Sequence, residues 1–402
     1  MTPIVLLTNT TRWHNAARLA ISLSEVGCVV SAVCPSHHPL LKTSAVQETF
    51  SYSGLRPLGS LRGAIDATNP SIIIPCDDLA VQHLHELYVC ERKLGKFGTK
   101  IATLITQSLG SPESYPIVSA RYHLIKMACQ DGIRVPDTAL LNTVDDLKSW
   151  HTRQTLPWVL KADGTSGGHS VKIAYTPMEA EQIFLELSQK LKATQVIKWL
   201  IVDRESFWLR HWWNRLSPRI TIQSYIHGHP ANCAIVCSEG RVLAGISIEV
   251  LSAKGQTGPA FVVRVIDNTE MILAAERIAR RLGLSGFFGL DFMIEEGSGT
   301  PYLIEMNPRC TPLCHLRLGK GRDMIAALWA QMSGQPVRET PPVTLNDVIA
   351  YFPQAWHHES PFLQSGFHDV PEGEPDLVQE LLHPWPARSL LFRAYKLLRH
   401  SA

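Results

Sequence analysis

Asp291 and Glu305 are the two residues of this 402-residue chain whose types and spacing point most directly to chemistry. Asp291 lies in Gly286-Phe-Phe-Gly-Leu-Asp-Phe-Met-Ile-Glu-Glu296, where Phe288, Leu290, Phe292 and Ile294 alternate onto one face of a strand and leave Asp291 on the other. Gly297-Ser-Gly299 makes a turn, and Thr300-Pro-Tyr-Leu-Ile-Glu-Met306 returns. A hairpin symmetric about Ser298 sets Asp291 directly opposite Glu305. Two carboxylates so placed have Cβ atoms about 5 Å apart and repel each other unless positive charge lies between them. A divalent cation is the simplest such charge. Asn307, two residues beyond Glu305 on the same face, adds a third oxygen and completes a hard, oxygen-only set suited to Mg²⁺ carrying bound phosphates, with Mn²⁺ as the other cation it admits. Arg309, two residues further on, can offset the charge of the same phosphates or of a transition state. The competing reading, a surface hairpin with acidic residues facing water, fits poorly with an aspartate set among Phe287, Phe288, Leu290 and Phe292.

Glu305-Met-Asn-Pro-Arg309, preceded by Gly-Leu-Asp-Phe around Asp291, resembles the closing signature of the ATP-grasp superfamily. Other segments extend the resemblance. Lys161 ends the strand-like run Trp158-Val-Leu-Lys-Ala162, and with the loop Asp163-Gly-Thr-Ser-Gly-Gly-His-Ser170 it is similar to the family's phosphate lysine and flexible lid. Arg121, eleven residues before Gly132, stands where the family keeps a basic phosphate ligand, and Gln223-Ser-Tyr-Ile226 resembles the hinge that holds adenine through main-chain groups. The resemblance spans roughly residues 116 to 335. It implies ATP and Mg²⁺ as cofactors, with nucleotide contacts from Arg121, Lys161, Ser166, Gly167, Gly168, Gln223, Tyr225 and Ile226. It further implies metal contacts from Asp291, Glu305 and Asn307, and catalytic roles for Arg309 and Arg264. Arg264 lies where family members often bring a substrate-binding arginine; an ordinary surface arginine is the alternative. His229 stands where the family often has an acidic residue for the ribose hydroxyls. His315 is either a site residue or, like most lone histidines after a loop, structural.

The activity implied is that of a carboxylate-amine ligase that activates a carboxylate as an acyl phosphate, passes it to an amine and releases ADP and phosphate. Alternatives are an ATP-grasp enzyme with a thiol or other acceptor, and a nucleotide-binding protein without turnover. The substrates expected are a small carboxylate and a small amine.

The elements that must position these residues are legible in outline. Ile4-Val-Leu-Leu7, a helical spacing of Trp13, Ala16, Ala17, Ala20 and Leu23 closed by Gly27, and the run Val29 to Val33 read as β-α-β, echoed by Ser71-Ile-Ile-Ile-Pro75. An open parallel α/β domain is therefore expected over residues 1–115, similar to the family's usual N-terminal domain. The ATP-grasp fold of two α+β subdomains is expected over 116–335 (a lid part over about 116–198, a C-terminal part over about 219–335), with an extension over 336–402. No Gly-x-Gly-x-x-Gly follows the first strand, so a nicotinamide cofactor is not supported. Asp77 and Asp78 follow a strand end, where open α/β sheets place ligands, and are either site residues or polar loop.

A helix capped by Ser119 is expected to run to Gly132, and another, capped by Thr176 with Pro177 at its first position, follows the lid strands. Ile220 to Ile226, Ala231 to Cys237 and Val242 to Val250 read as strands of one antiparallel sheet, and Thr269 to Leu282 as a helix stopped by Gly283. Lys198 to Pro218 holds four tryptophans and three arginines, either a stacking surface for bases or packing against a neighbouring domain. Ala387 to Arg399 reads as a basic amphipathic helix that docks on the protein's own body or on a membrane surface.

With 38 basic and 36 acidic residues the chain has no field that would mark nucleic acid as its main partner. It also lacks a stretch of the roughly 20 apolar residues that spans a bilayer, and Ile4 to Leu7 is too short for a signal core. The nine scattered cysteines read as reduced thiols of a cytoplasmic protein. Cys233/Cys237 and Cys310/Cys314 read as small buried hydrophobes rather than zinc ligands. Homo-oligomer formation is left open.

Overall fold

The computed structural model describes residues 2–93, 100–163, 171–189, 219–358 and 360–384. Ser166, Gly167 and Gly168, the Trp- and Arg-rich segment 199–218 and the basic helix expected over 387–399 lie outside the described residues.

The apolar runs of the N-terminal part form four parallel strands: β1 (Ile4–Thr8), β2 (Val29–Cys34), β3 (Glu48–Ser51) and β4 (Ile72–Pro75). Helices α1 (Asn15–Glu25), α2 (Pro57–Thr68), α3 (Asp78–Lys93) and α4 (Lys100–Leu109) accompany them. The strand order β3-β2-β1-β4 places the topological switch point, where open α/β sheets place ligands, between β1 and β4.

After the short α5 (Tyr115–Val118) comes α6 (Arg121–Gln130), whose N-cap is Ala120. The cap expected at Ser119 is therefore displaced by one residue: Ser119 ends the one-turn α5, and the extended Ala120 starts the new helix. A four-stranded antiparallel sheet follows, built from β5 (Thr138–Leu141), β6 (Trp158–Ala162), β7 (Val171–Ala174) and, later in the chain, β8 (Ile220–Ser224) in the order β5-β8-β6-β7. Helices α7 (Val144–His151) and α8 (Pro177–Ser188) cover one face of it. Thr176 caps α8 as expected, its side chain accepting from the Glu179 amide.

The largest sheet has seven strands. It comprises β9 (Gly228–Ser238), β10 (Arg241–Ala253), β11 (Ala260–Ile266), β12 (Gly286–Glu295), β13 (Pro301–Asn307), β14 (Val348–Tyr351) and β15 (Phe367–Asp369) in the order β13-β12-β9-β10-β11-β14-β15. The stretch after residue 335 thus adds two strands to it. The expectation that Ile220 to Ile226 shares a sheet with the next two strands is corrected: β8 pairs with β5 and β6, and Tyr225 to His227 cross from one sheet to the other.

One face of the large sheet packs on α6 and on α9 (Thr269–Leu282), with Ala231, Cys233, Phe288, Leu290 and Phe292 in that core. The other packs on the N-terminal domain and on α10 (Met324–Ser333), with Ala234, Ile248, Phe287 and Cys310 among its buried residues. A last helix, α11 (Pro375–Leu382), also joins this second core.

Candidate active site

Asp291 on β12 pairs with Glu305 on β13, as expected, but by a different route from a symmetric hairpin. Near the turn the pairs are Ile294 with Pro301, Met293 with Tyr302 and Phe292 with Leu303, one residue short of symmetry about Ser298. Ile304 is an extra residue on β13, and this bulge restores the expected register from Asp291 onward. Its effect is chemical. Leu303 and Met306 both reach the α6/α9 core, while Glu305 and Asn307 leave the sheet on the side of Asp291. The bulged Ile304 also turns its carbonyl toward Lys161, whose Nζ donates to it at 3.5 Å.

Around the two carboxylates stand side chains from three parts of the molecule. Asp291 accepts from Asn232 Nδ2 at 2.6 Å and from Asn307 Nδ2 at 2.8 Å. Burial, and then the nearby Glu305 charge, push its carboxyl up to about 6. Glu305 accepts from Arg121 Nη2 at 2.7 Å. Burial pushes Glu305 upward too, but Arg121 and Lys161 outweigh it and hold the group below the ordinary glutamate value. Arg121 sits at the start of α6, also 3.5 Å from Asp163 and donating to the Ala162 carbonyl at 3.4 Å. Lys161, on β6, is 4% exposed; burial, helped by the neighbouring Arg121 charge, lowers its ammonium to about 8.

Arg309 follows β13 in a loop that folds back over the sheet. Gly289 makes room for that loop, because a methyl there would stand 2.3 Å from Thr311 Cγ2. Arg309 donates from Nε to Asp78 at 3.1 Å and from Nη2 to Asn307 Oδ1 at 3.4 Å, and its guanidinium lies 4.3 Å from the centroid of the Trp13 ring. Asp78 therefore belongs to the site. Asp77 does not: it is buried, accepting from the amides of Thr10 (2.6 Å), Thr11 (3.2 Å) and Ala80 (2.8 Å) and from the Thr10 hydroxyl (2.8 Å), which ties the end of β1 to the end of β4.

The hinge residues Gln223 to Ile226 run from the end of β8 toward β9. Gln223 is the penultimate residue of β8, and its side chain is used internally, donating to Thr138 Oγ1 at 3.0 Å. Tyr225 packs edge-on to His227 at 4.9 Å, and Ile226 is half-buried beside it.

Arg264 is not brought to this constellation, and the expectation that it acts there is corrected. The row through Asp291 runs to Asn232 and Ile248, whereas Arg264 pairs with Glu249, in the row of Ala231 and Phe292. That row is one residue out of step, so Arg264 leaves the opposite face of the sheet. There it pairs with Glu249 at 2.8 Å, which His229 also approaches at 3.2 Å. His315 is buried against Asp369 at 2.8 Å, with Arg18 on the other carboxylate oxygen. Cys233 and Cys237 are buried in β9, and all nine cysteines are free thiols. Asn232, Asp163 and Trp13 are site neighbours that sequence reasoning missed.

The family model described as an ATP-grasp domain matches residues 201–312, a span that includes the hinge, β9 to β13 and Arg309. The chain carries an ATP-grasp domain. Solved structures resembling it have the ATP-grasp fold, and each likeness extends beyond that span. N5-carboxyaminoimidazole synthetase from Staphylococcus aureus, complexed with ADP, superposes with a TM-score of 0.58 at 12% identity, covering 84% of this chain and 78% of that one. The biotin carboxylase domain dimer of Hydrogenobacter thermophilus 2-oxoglutarate carboxylase, in complex with MgADP, ADP and bicarbonate, gives 0.57 at 16% identity over 84% and 71%. Phosphoribosylglycinamide synthetase from Anaerococcus prevotii gives 0.53 at 14% identity over 87% and 80%. In sequence, the carbamoyl phosphate synthase large chain of Saccharolobus solfataricus is 24% identical over 256 residues. That match covers 58% of this chain but only 22% of the relative, so the chain corresponds to about a fifth of that protein's length. Among the described residues no helix is long and apolar enough to cross a membrane.

Proposed function

We propose that this ATP-grasp protein is an ADP-forming carboxylate-amine ligase, in which MgATP phosphorylates a carboxylate and an amine displaces phosphate from the acyl phosphate. The observation that carries the proposal is the facing pair Asp291 and Glu305 with Lys161, Arg121 and Arg309 around it. Such a group of carboxylates and cations stabilises polyphosphate charge and needs no protein nucleophile.

The residues fit a hard divalent cation. Among the described residues, Asp291 is a half-buried carboxylate without a cationic hydrogen-bond partner, and Asn232 Oδ1 is a buried acceptor with no partner. Asp291, Glu305 and Asn307 would hold the metal, which when bound supplies charge neutralisation to the β- and γ-phosphates. Lys161 and Arg121 hold phosphate oxygens, a role that the resemblance also gives to Ser166, Gly167 and Gly168, which lie outside the described residues. The main chain of Gln223 to Ile226, with Tyr225, receives the adenine. Arg309, fixed by Asp78 and Trp13, steadies charge on the transferred phosphoryl group and keeps water from competing with the acceptor. The free thiols are in keeping with a cytoplasmic location.

The test is release of ADP and phosphate from MgATP by the purified chain, against small carboxylic acids and amines singly and in pairs. Release that requires one carboxylate and one amine together, and that is lost in Glu305→Ala, supports the ligase. Tight MgATP binding without turnover across the panel would leave a nucleotide-binding protein and sink the ligase reading.

A further inference from the structure

Asp369 is the meeting point of three segments far apart in the chain. Its Oδ2 is hydrogen-bonded to His315 Nε2 at 2.8 Å, and its Oδ1 accepts from Arg18 Nη2. Arg18 lies on α1, His315 in the loop after β13, and Asp369 on β15 at the edge of the large sheet. All three are buried, at 9%, 6% and 5% exposure. Burial pushes the Asp369 carboxyl upward, but His315 and Arg18 outweigh it and keep the group ionised. A further contact closes the network, as the Ser22 hydroxyl donates to the His315 carbonyl at 2.8 Å. Apolar side chains of the same volume often serve stability as well as a buried ion pair does, so what such a network can add is one specified arrangement of the segments it joins.

Both partners of Asp369 lead to the grip on Arg309. On the Arg18 side, the Ala16 and Ala17 amides donate to the Trp13 and His14 carbonyls at 3.4 and 3.2 Å, so α1 is continuous with the turn that carries Trp13. His14 is also in hydrogen-bond contact with Gln354, in the single helical turn after β14. On the His315 side, the loop back to Arg309 is stiff. The Cys314 amide donates to the Thr311 carbonyl, the Leu316 amide to the Leu313 carbonyl and the Thr311 amide to Cys314 Sγ, each at 3.1 Å. Cys310, Leu313, Cys314 and Leu316 are buried. The two arms meet again where the Trp13 ring carries the Arg309 guanidinium at 4.3 Å. A shift of about 1 Å in a group of the site can cost about 100-fold in rate, so the spacing of the arms matters.

We infer that Asp369 is a positioning residue for Arg309: by holding Arg18 and His315 on its two carboxylate oxygens, the segment from β14 to β15 sets the arginine against the Trp13 ring. The inference rests on the ligase reading for the use made of Arg309, but not for its test.

The test is the NMR signal of the Arg309 Nε–H in the full chain made with isotope-labelled arginine, assigned by its absence from Arg309→Lys, beside kcat and MgADP affinity. The Trp13 ring should displace that signal, and Trp13→Leu shows by how much. Asp369→Asn, which keeps the shape and loses the charge, and His315→Leu should each move or broaden it. Each should also lower kcat by about tenfold, with the Kd for MgADP within about twofold of wild type. His315→Gln keeps an N–H donor and should keep the signal and most of the rate. Melting temperatures report folding, and His315→Leu, which leaves Arg18 and Asp369 paired, serves if Asp369→Asn fails to fold. An unmoved Arg309 signal in these variants, beside a lowered melting temperature, would mark the network as packing alone and overturns the inference. So does a loss of MgADP affinity as deep as that of kcat, which would mean a general collapse of the site, or a His315→Gln variant as impaired as His315→Leu. Absence of turnover in the wild-type protein counts against the ligase reading alone, because the Arg309 signal still decides the role of Asp369.

Discussion

Asp291 and Glu305 face each other across β12 and β13, yet their charges are balanced in opposite ways: Glu305 is ion-paired to Arg121, whereas Asp291 has only the amides of Asn232 and Asn307. The uncompensated charge therefore resides on Asp291. Its folded-state value, raised to about 6 by burial and by Glu305, exceeds the ordinary 3.8, so its ionisation works against folding as pH rises from 3.8 through 6. Asp291→Asn should then stabilise the metal-free protein above pH 6, by on the order of 1–3 kcal/mol, with no gain below pH 4. The same substitution should lower MgATP turnover by about 100-fold or more. Thermal melts in EDTA at pH 4 and pH 7.5, beside an ADP-release assay, check both; a loss of stability at pH 7.5 contradicts the charge argument.

Lys161 gives the opposite limb of the pH dependence. Burial, then Arg121, lowers it from 10.5 to about 8, so the ammonium persists below pH 8 and is lost above it. The KM for MgATP should rise as pH passes through 8, and Lys161→Arg, which keeps its charge, should move that limb upward. A buried charge also opposes folding below pH 8, and the opposition fades between 8 and 10.5. Lys161→Met should therefore melt higher than wild type at pH 7 and lose that advantage near pH 10.5, even as it abolishes turnover.

Arg121→Met tests the paired half of the site. Removing it strands Glu305, whose side chain is 27% exposed, and breaking a largely buried pair costs up to about 3–5 kcal/mol. A cost of about 2–3 kcal/mol is expected after allowing for that exposure. Adding Glu305→Gln should restore most of the lost stability and none of the activity. A double variant no more stable than Arg121→Met would show that the arginine acts through packing alone.

The hairpin was legible because two local signals agree in it: alternation that isolates Asp291, and a turn that returns the chain onto it. Thr269 to Leu282 was equally clear, with helical spacing and Gly283 in the left-handed conformation, at φ 58°. What could not be read were choices made at long range. The bulge at Ile304 exists because Leu303 and Met306 both seek one core, and nothing within β13 announces it. β8 pairs with β5 and β6, 80 and 60 residues upstream, so its sheet cannot be found from its own residues. Asn232 looks like any polar residue in a strand until the register places it beside Asp291. Arg264 failed for the same reason: its type suits phosphate, but one residue of register puts it on the other face.

That register makes Arg264 a clean control. Its side chain is 39% exposed and, among the described residues, paired only with Glu249, so the pair is worth at most about 1 kcal/mol. Arg264→Ala should leave kcat and KM for MgATP within about threefold of wild type, a difference below 1 kcal/mol. Steady-state kinetics decide this, and a loss as deep as that of Arg309→Ala would mean that the two faces of the sheet are coupled through β10.

Asp78 and Trp13 bring the N-terminal domain into contact with Arg309. Asp78 accepts from Arg309 Nε and Trp13 carries the guanidinium face, so both hold the arginine in place. Trp13→Leu removes the ring and a cation–π contact of about 1–2 kcal/mol, while Asp78→Asn keeps an acceptor of the same shape. Trp13→Leu should therefore lower kcat by about tenfold with little change in the affinity for MgADP, and Asp78→Asn by less. In Arg309→Lys, which cannot reproduce the stacked, planar geometry, the further effect of Trp13→Leu should vanish. A double-mutant cycle on kcat measures that coupling; equal losses from Trp13→Leu in both backgrounds would place the indole's role elsewhere than on the arginine.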